Sequence, residues 1–322
     1  MKHLAILFFF FSSIITSASI ITVDNDTPGS DYSDLQAAID AANSGDTIYV
    51  GGSNISYGSI SIDKPIIIFG SGYDATISLK SQLGSIGLTS GADGTHISGF
   101  EFLNYSSSGI DINNLIISDC LITGIIYPVG NNNLIEGNIF SGSSIVISCQ
   151  GNTGSIVTIR NNVIHGYINY LQSSQSIIKN NVFLKAATIT FANSSGFAKV
   201  NNIYYGIPIQ GCSGCTSSNE IEFYQNQTCG FQGQDPLFAS VPTLTCSNST
   251  TYNLANDFSL QAGSPAIGSG QNGEDIGAHG GPTPFVKGGF PPIPKITSMS
   301  VSTTEVQAGA TIQVTIQAKS NN

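Results

Sequence analysis

Between Asn131 and Tyr205 a polar pair followed by an apolar pair recurs four times: Gly137-Asn138-Ile139-Phe140, Asn161-Asn162-Val163-Ile164, Asn180-Asn181-Val182-Phe183 and Asn201-Asn202-Ile203-Tyr204. The second polar residues, Asn138, Asn162, Asn181 and Asn202, stand 24, 19 and 21 positions apart. A unit that short cannot bury its apolar face alone, and a repeat of this period reads as one coil of a solenoid. Earlier in the chain Asp119-Cys120-Leu121-Ile122 and Gly99-Phe100-Glu101-Phe102 fall in the same frame. A coil must turn a sharp corner between two short strands, and asparagine tolerates the left-handed backbone found at such corners. Stacked on its copies about 4.8 Å away, an inward asparagine amide can donate to one neighbour and accept from the next, which satisfies a buried polar group all along the stack.

The first coil of a solenoid exposes its core, so its end needs a cover. Ser33 with Gln36 reads as a capping box, and Leu35, Ala38, Ile39 and Ala42 form the apolar stripe of a short helix ended by Gly45. The coils predict strands at Ile60-Ser61-Ile62, Pro65 to Phe69, Thr76 to Leu79, Thr95 to Phe102, Leu115 to Ile117, Ser144 to Ser148, Ser155 to Ile159 and Thr188 to Phe191, making roughly eight to nine coils between Ser59 and Cys246. Residues 206 to 250 lose the rhythm and hold cysteines, as an irregular last coil or a disulfide-held excursion would. Pro282 to Pro294 is an extended, proline-rich stretch, and Ile296 to Val301 with Thr311 to Ile316 predict a closing β-hairpin that either packs on the solenoid or begins a further module.

These features resemble the right-handed parallel β-helix proteins of the pectin-lyase-like superfamily: the asparagine frame, the N-terminal cap, and the C-terminal series Asp235-Pro236-Leu237-Phe238, Asp257-Phe258-Ser259-Leu260, Ser264-Pro265-Ala266-Ile267 and Asp275-Ile276-Gly277-Ala278. The resemblance covers roughly residues 22 to 285. It implies an all-β, right-handed parallel β-helix with a capping helix and a C-terminal hairpin, and a polysaccharide bound or cleaved along one solenoid face. It carries no catalytic motif. The expected division is a signal peptide over 1–19, the β-helix over 20–285 with its capping helix at 33–45, and the linker with hairpin over 286–322.

Met1 to Ser19 has a lysine, an apolar core from Leu4 and small residues up to Ala18-Ser19, the pattern of a cleaved secretory signal. A retained anchor is the alternative, although the apolar core is short for a span, and no other stretch could enter a membrane. Cleavage removes Lys2 and moves the formal charge from −10 to −11. That sign excludes nucleic acid as the expected partner. It also repels polyuronates, so an acidic glycan would need a bridging cation such as Ca2+ or one local basic patch.

Six cysteines in an exported chain favour disulfides. Cys212, Cys215, Cys229 and Cys246 allow three pairings, with zinc the competing reading of Cys212-x-x-Cys215. Cys120 and Cys149 lie in apolar surroundings and are expected in the core.

A lyase of this fold needs a base and a cation for the substrate carboxylate, and a hydrolase needs two facing carboxyl groups. No Asp or Glu occurs between Glu136 and Glu220, which argues against a calcium-dependent site in the centre. The asparagine frame places Ser118, Glu136, Arg160, Lys179 and Val200 in one column. Arg160, the only arginine, and Lys179 make the one evident basic patch. They are the candidates to hold a carboxylate and supply a base, with Glu136 beside them and His165 reaching the same surface. The competing reading is a Glu136–Arg160 ion pair with Lys179 solvated. Tyr167, Tyr170, Tyr204 and Tyr205 are candidate sugar-stacking faces, and His96 and His279 have no partner visible in the sequence. The rival to an enzyme is a non-catalytic extracellular module, which the neutral Ser/Asn/Thr exterior favours.

Overall fold

The computed structural model describes residues 18–74, 79–103, 111–142, 144–184, 190–207, 209–225, 230–241, 253–291, 294–302, 305, 309 and 311–319. The signal segment up to Ser17, most of the strands expected at Thr76 to Leu79 and Thr188 to Phe191, and Cys229 and Cys246 lie outside them. The chain is a parallel β-solenoid. A ten-stranded sheet runs from Ile20–Val23 to Thr216–Ser218, and a nine-stranded sheet runs from Gln82–Leu83 to Ile221–Gln225 and Phe231–Gly233. A third face comprises Ile145–Ser148, Tyr167–Asn169 and Phe191–Ala192. Eight strands of the ten-stranded sheet, Ile67–Phe69 onward, fall within the span expected to hold eight to nine coils.

Because successive coils stay in register, like residues stack. Ile48, Ile68, Ile97, Ile117, Ile135, Ile159 and Ile178 follow one another across the ten-stranded sheet, each no more than 1% exposed. Each contributes roughly 1.5–3 kcal/mol of apolar burial. Across the lumen Phe102, Ile122, Phe140, Ile164, Phe183 and Tyr204 make the facing column. Over the last two coils both columns change character: Ile178 pairs with Lys199, and one coil on Tyr204 pairs with Glu222.

Two adjacent residues divide the work at the corner. The first of each pair, Asp119, Gly137, Asn161, Asn180 and Asn201, takes positive φ between 53° and 65°. The second points inward and forms the ladder. Asn138 Nδ2 donates to Asn162 Oδ1 at 3.1 Å, Asn162 to Asn181 at 2.9 Å and Asn181 to Asn202 at 3.0 Å. Each oxygen also accepts the backbone N–H of the frame residue below, beginning with Cys120. The ladder ends on Glu220, whose Oε1 accepts from the Asn202 backbone N–H and Nδ2.

The N-terminal helix, Leu35–Ala41, buries Leu35, Ala38 and Ile39 over the first coil. Its cap is Asp34, whose carboxylate accepts from Ala37 N, and not Ser33 as the capping-box spacing predicts. Gln36 is used instead to clamp Ser61, giving to its carbonyl and accepting from its N–H. At the other end the Phe231–Gly233 strand pairs antiparallel to Ile221–Gln225 and covers the open sheet edge.

Residues 236–241 and 253–291 fold back down the outside of the nine-stranded sheet as a strap. Phe238, Phe258, Ala266, Ile276, Ala278 and Phe285 pack on Leu121, Ile139, Val163, Val182 and Ile203 to make a second core. Gly277 N donates to Asn201 O at 2.9 Å, Asn161 Nδ2 donates to Ala278 O at 3.0 Å, and Tyr73 N donates to Gly288 O at 3.0 Å, so the strap descends several coils. Gly289, at φ +63°, passes so close to the Tyr73 ring and the Asp119 carbonyl that a Cβ would run into both. The closing hairpin joins Lys295–Val301 to Val314–Lys319 and leaves Met299, Val301, Val314 and Ile316 exposed, not packed on the solenoid.

Candidate functional site

Ser118, Glu136, Arg160, Lys179 and Val200 do form one column. Its cations, however, are already engaged. Arg160 Nε and Nη2 lie 2.8 and 2.7 Å from Glu136 Oε2. Lys179 Nζ lies 2.8 Å from Glu274 on the strap, so it is not simply solvated. Lysine becomes a base where burial or a neighbouring cation lowers its pKa, whereas Lys179 faces a carboxylate. All four side chains are between one fifth and one third exposed, and such pairs contribute little. Removing Lys179, Glu274 or both by alanine should cost less than about 1 kcal/mol each, with a coupling energy of the same small size in a double-mutant cycle read by urea unfolding.

His165 does not reach that surface. It lies beyond the Asn161-Asn162 corner on the nine-stranded sheet, beside Leu184 in register, and is 5% exposed. Tyr204 is also no sugar platform, being fully buried and stacked on Phe183 at 5.1 Å. His96, partnerless in the sequence, has its Nε2 3.0 Å from Ser118 Oγ. A serine–histidine pair of this geometry can serve nucleophilic catalysis, but Ser118 is 4% exposed and burial holds His96 down to about 4. Burial likewise pushes the neighbouring Asp119 up to about 6.

Cys212 and Cys215 are joined in a disulfide, which excludes the zinc reading for that pair. Cys120 and Cys149 are free and buried, and burial pushes the Cys149 thiol up to about 12. Among the described residues no group of three or more His, Cys, Asp and Glu comes together that could hold Ca2+ or another metal ion.

A concave site does exist where the strap leaves the last coils. Tyr205 and Phe223, outward on neighbouring strands, Phe231 on the antiparallel edge strand, and Phe238 at the start of the strap line a cavity of about 450 Å3. Phe223 and Phe231 stack 3° from parallel at 5.2 Å, and Phe238 meets Tyr205 edge-on at 5.4 Å. Phe231 is 49% exposed, far more than a ring kept only for packing. Among the described residues the polar side chains on the wall are Asp235 and Gln261, together with the Tyr205 hydroxyl. Asp235 Oδ1 accepts from Leu237 N at 2.9 Å, fixing a turn in which Leu237 takes φ +51°, a costly conformation for leucine that sets it on the rim. Burial, with Asp235 adding to it, pushes the Tyr205 hydroxyl up to about 12.

The sequence signalled only Tyr205 of this site. The other rings, Phe223, Phe231 and Phe238, come from three separated stretches that the solenoid and strap bring together, and no local spacing announces that. The chain matches no protein-family model, and no curated protein matches it in sequence.

Proposed function

We propose that this is an extracellular, non-catalytic glycan-binding protein of the pectin-lyase-like type, and that a saccharide chain lies in the aromatic cavity at the C-terminal end of the solenoid. The observation that carries the reading is a cavity lined by four aromatic rings, in which Phe231 is exposed and stacks on the half-buried Phe223 with Asp235 and Gln261 beside them. Sugar rings present apolar C–H faces to such rings while their hydroxyls meet the polar wall. The Cys212–Cys215 disulfide and the signal-like N-terminus support export. Binding without turnover is favoured because Arg160 and Lys179 are each held by a glutamate.

The test is affinity electrophoresis and calorimetry on a panel of neutral, acidic and amine-bearing polysaccharides, with wild type and Phe231→Ala. Wild type should bind at least one polymer, and Phe231→Ala should weaken that binding about tenfold with no change in urea midpoint. A panel without binding, or affinity indifferent to Phe231, overturns the reading. Release of unsaturated or reducing ends from any polymer would replace it with an enzyme.

A further inference from the structure

The chemistry of the cavity wall narrows the ligand, given the glycan reading. A saccharide offers hydroxyls, which both donate and accept, together with any charged substituent. Of the two polar groups beside the rings, Asp235 is an acceptor when ionised, with Leu237 N–H as its donor among the described hydrogen bonds. Gln261 gives one N–H of its amide to the Phe238 carbonyl at 2.6 Å, which leaves the amide oxygen and the second N–H for a ligand. Among the described residues no lysine, arginine or histidine lines the cavity. Among the described residues the wall therefore offers aromatic faces, the Asp235 carboxylate, the Gln261 amide and the Tyr205 hydroxyl, and its one formal charge is negative. Ring faces attract cations through their quadrupole, and an ammonium group brings three N–H donors and no acceptor. A carboxylate-bearing sugar would meet repulsion from Asp235 and no compensating cation. A quaternary ammonium would satisfy the rings but give no hydrogen bond to Asp235 or Gln261.

We infer that the cavity is a subsite for an amino sugar with a free, protonated amine, its ring packed against the exposed Phe231 and its ammonium between Asp235 and Gln261. The protein's formal charge of −10 would bring such polymers toward it. The cavity then provides the selection that overall charge cannot.

Calorimetry at about pH 6 and physiological salt, with tetrasaccharides of β-1,4-linked glucosamine, N-acetylglucosamine and glucose and with choline chloride, decides it. The glucosamine tetramer should bind about tenfold or more tighter than the other two oligosaccharides and than choline. Asp235→Asn keeps the oxygen that caps Leu237 N and should erase that preference while leaving residual binding of the neutral chain. N-acetylated or neutral tetramers binding within about twofold of the amine would overturn the amine subsite and leave the glycan reading standing. Choline binding as tightly as the glucosamine tetramer would overturn the sugar part of the assignment. An amine preference surviving in Asp235→Asn would transfer the effect to overall charge and overturn the site. No binding by any of the three oligosaccharides overturns this inference and, with an equally blank polysaccharide panel, the glycan reading too.

Discussion

Replacing Asn181 with alanine should destabilise the protein by about 4 kcal/mol, among the largest effects available to a single substitution here. Its Oδ1 accepts from the backbone N–H and Nδ2 of Asn162, at 3.0 and 2.9 Å. Its Nδ2 donates to Ile159 O, Lys179 O and Asn202 Oδ1, all within 3.0 Å. The side chain is fully buried, so alanine leaves those partners without water to replace it. The neighbouring Asn180 tests the division of labour at the corner. Its φ of +55° is what glycine adopts freely, so Asn180→Gly should cost less than about 1 kcal/mol. Urea unfolding measures both. A loss below about 1 kcal/mol in Asn181→Ala, with the denaturant slope unchanged, would mean that the ladder carries little of the stability.

The ladder, the column and the capping helix were legible because each is written in local spacing. The frame that aligns Asn138, Asn162, Asn181 and Asn202 also aligns Glu136, Arg160 and Lys179, since parallel coils in register preserve every offset from the corner. Spacing does not say what lies against a column from outside. Glu274 reaches Lys179 from 95 positions away, and Asn161 meets Ala278 and Gly280 across more than a hundred. The C-terminal series read as a family likeness is physically the strap, and its Phe238, Ala266 and Ile276 give the nine-stranded sheet a buried outer face. His165 is 5% exposed although simple alternation would have placed it in solvent. The same long-range packing assembles the aromatic cavity. The helix cap slipped by one residue for a local reason, since Asp34 and Ser33 are both competent caps and Asp34 is the one adjoining Leu35.

The open end of the lumen makes the second large prediction. The isoleucine column stops at Lys199, and one coil further the asparagine ladder stops at Glu220 and the facing column at Glu222, so three stacks end in ionisable groups within two successive coils. Burial pushes Glu220 up to about 7, and hydrogen bonds from Asn202 and the charge of Lys199 pull it only part of the way back. Burial also lowers Lys199, against the pull of Glu220 and Glu222. The folded state thus holds the Glu220 proton more tightly than the unfolded chain, whose glutamate titrates near 4.5. Its contribution is full below pH 4.5 and is lost as pH rises through 7, a change on the order of 2–3 kcal/mol. Asp119, raised to about 6, acts in the same sense, whereas His96, lowered to about 4, and His279, also lowered by burial, destabilise the fold as pH falls below 6.5. These opposing groups blunt the wild-type profile in acid, so the comparison that isolates Glu220 is with Glu220→Gln. The glutamine oxygen can still accept from Asn202 N–H and Nδ2, and no charge remains to be buried. Glu220→Gln should therefore unfold at higher urea than wild type at pH 8, by about 2 kcal/mol of stability, and match it at pH 5. An equal gain at both pH values would assign the effect to packing. A loss at pH 8 would mean that the ionised carboxylate, paired with Lys199, is what closes the end of the ladder.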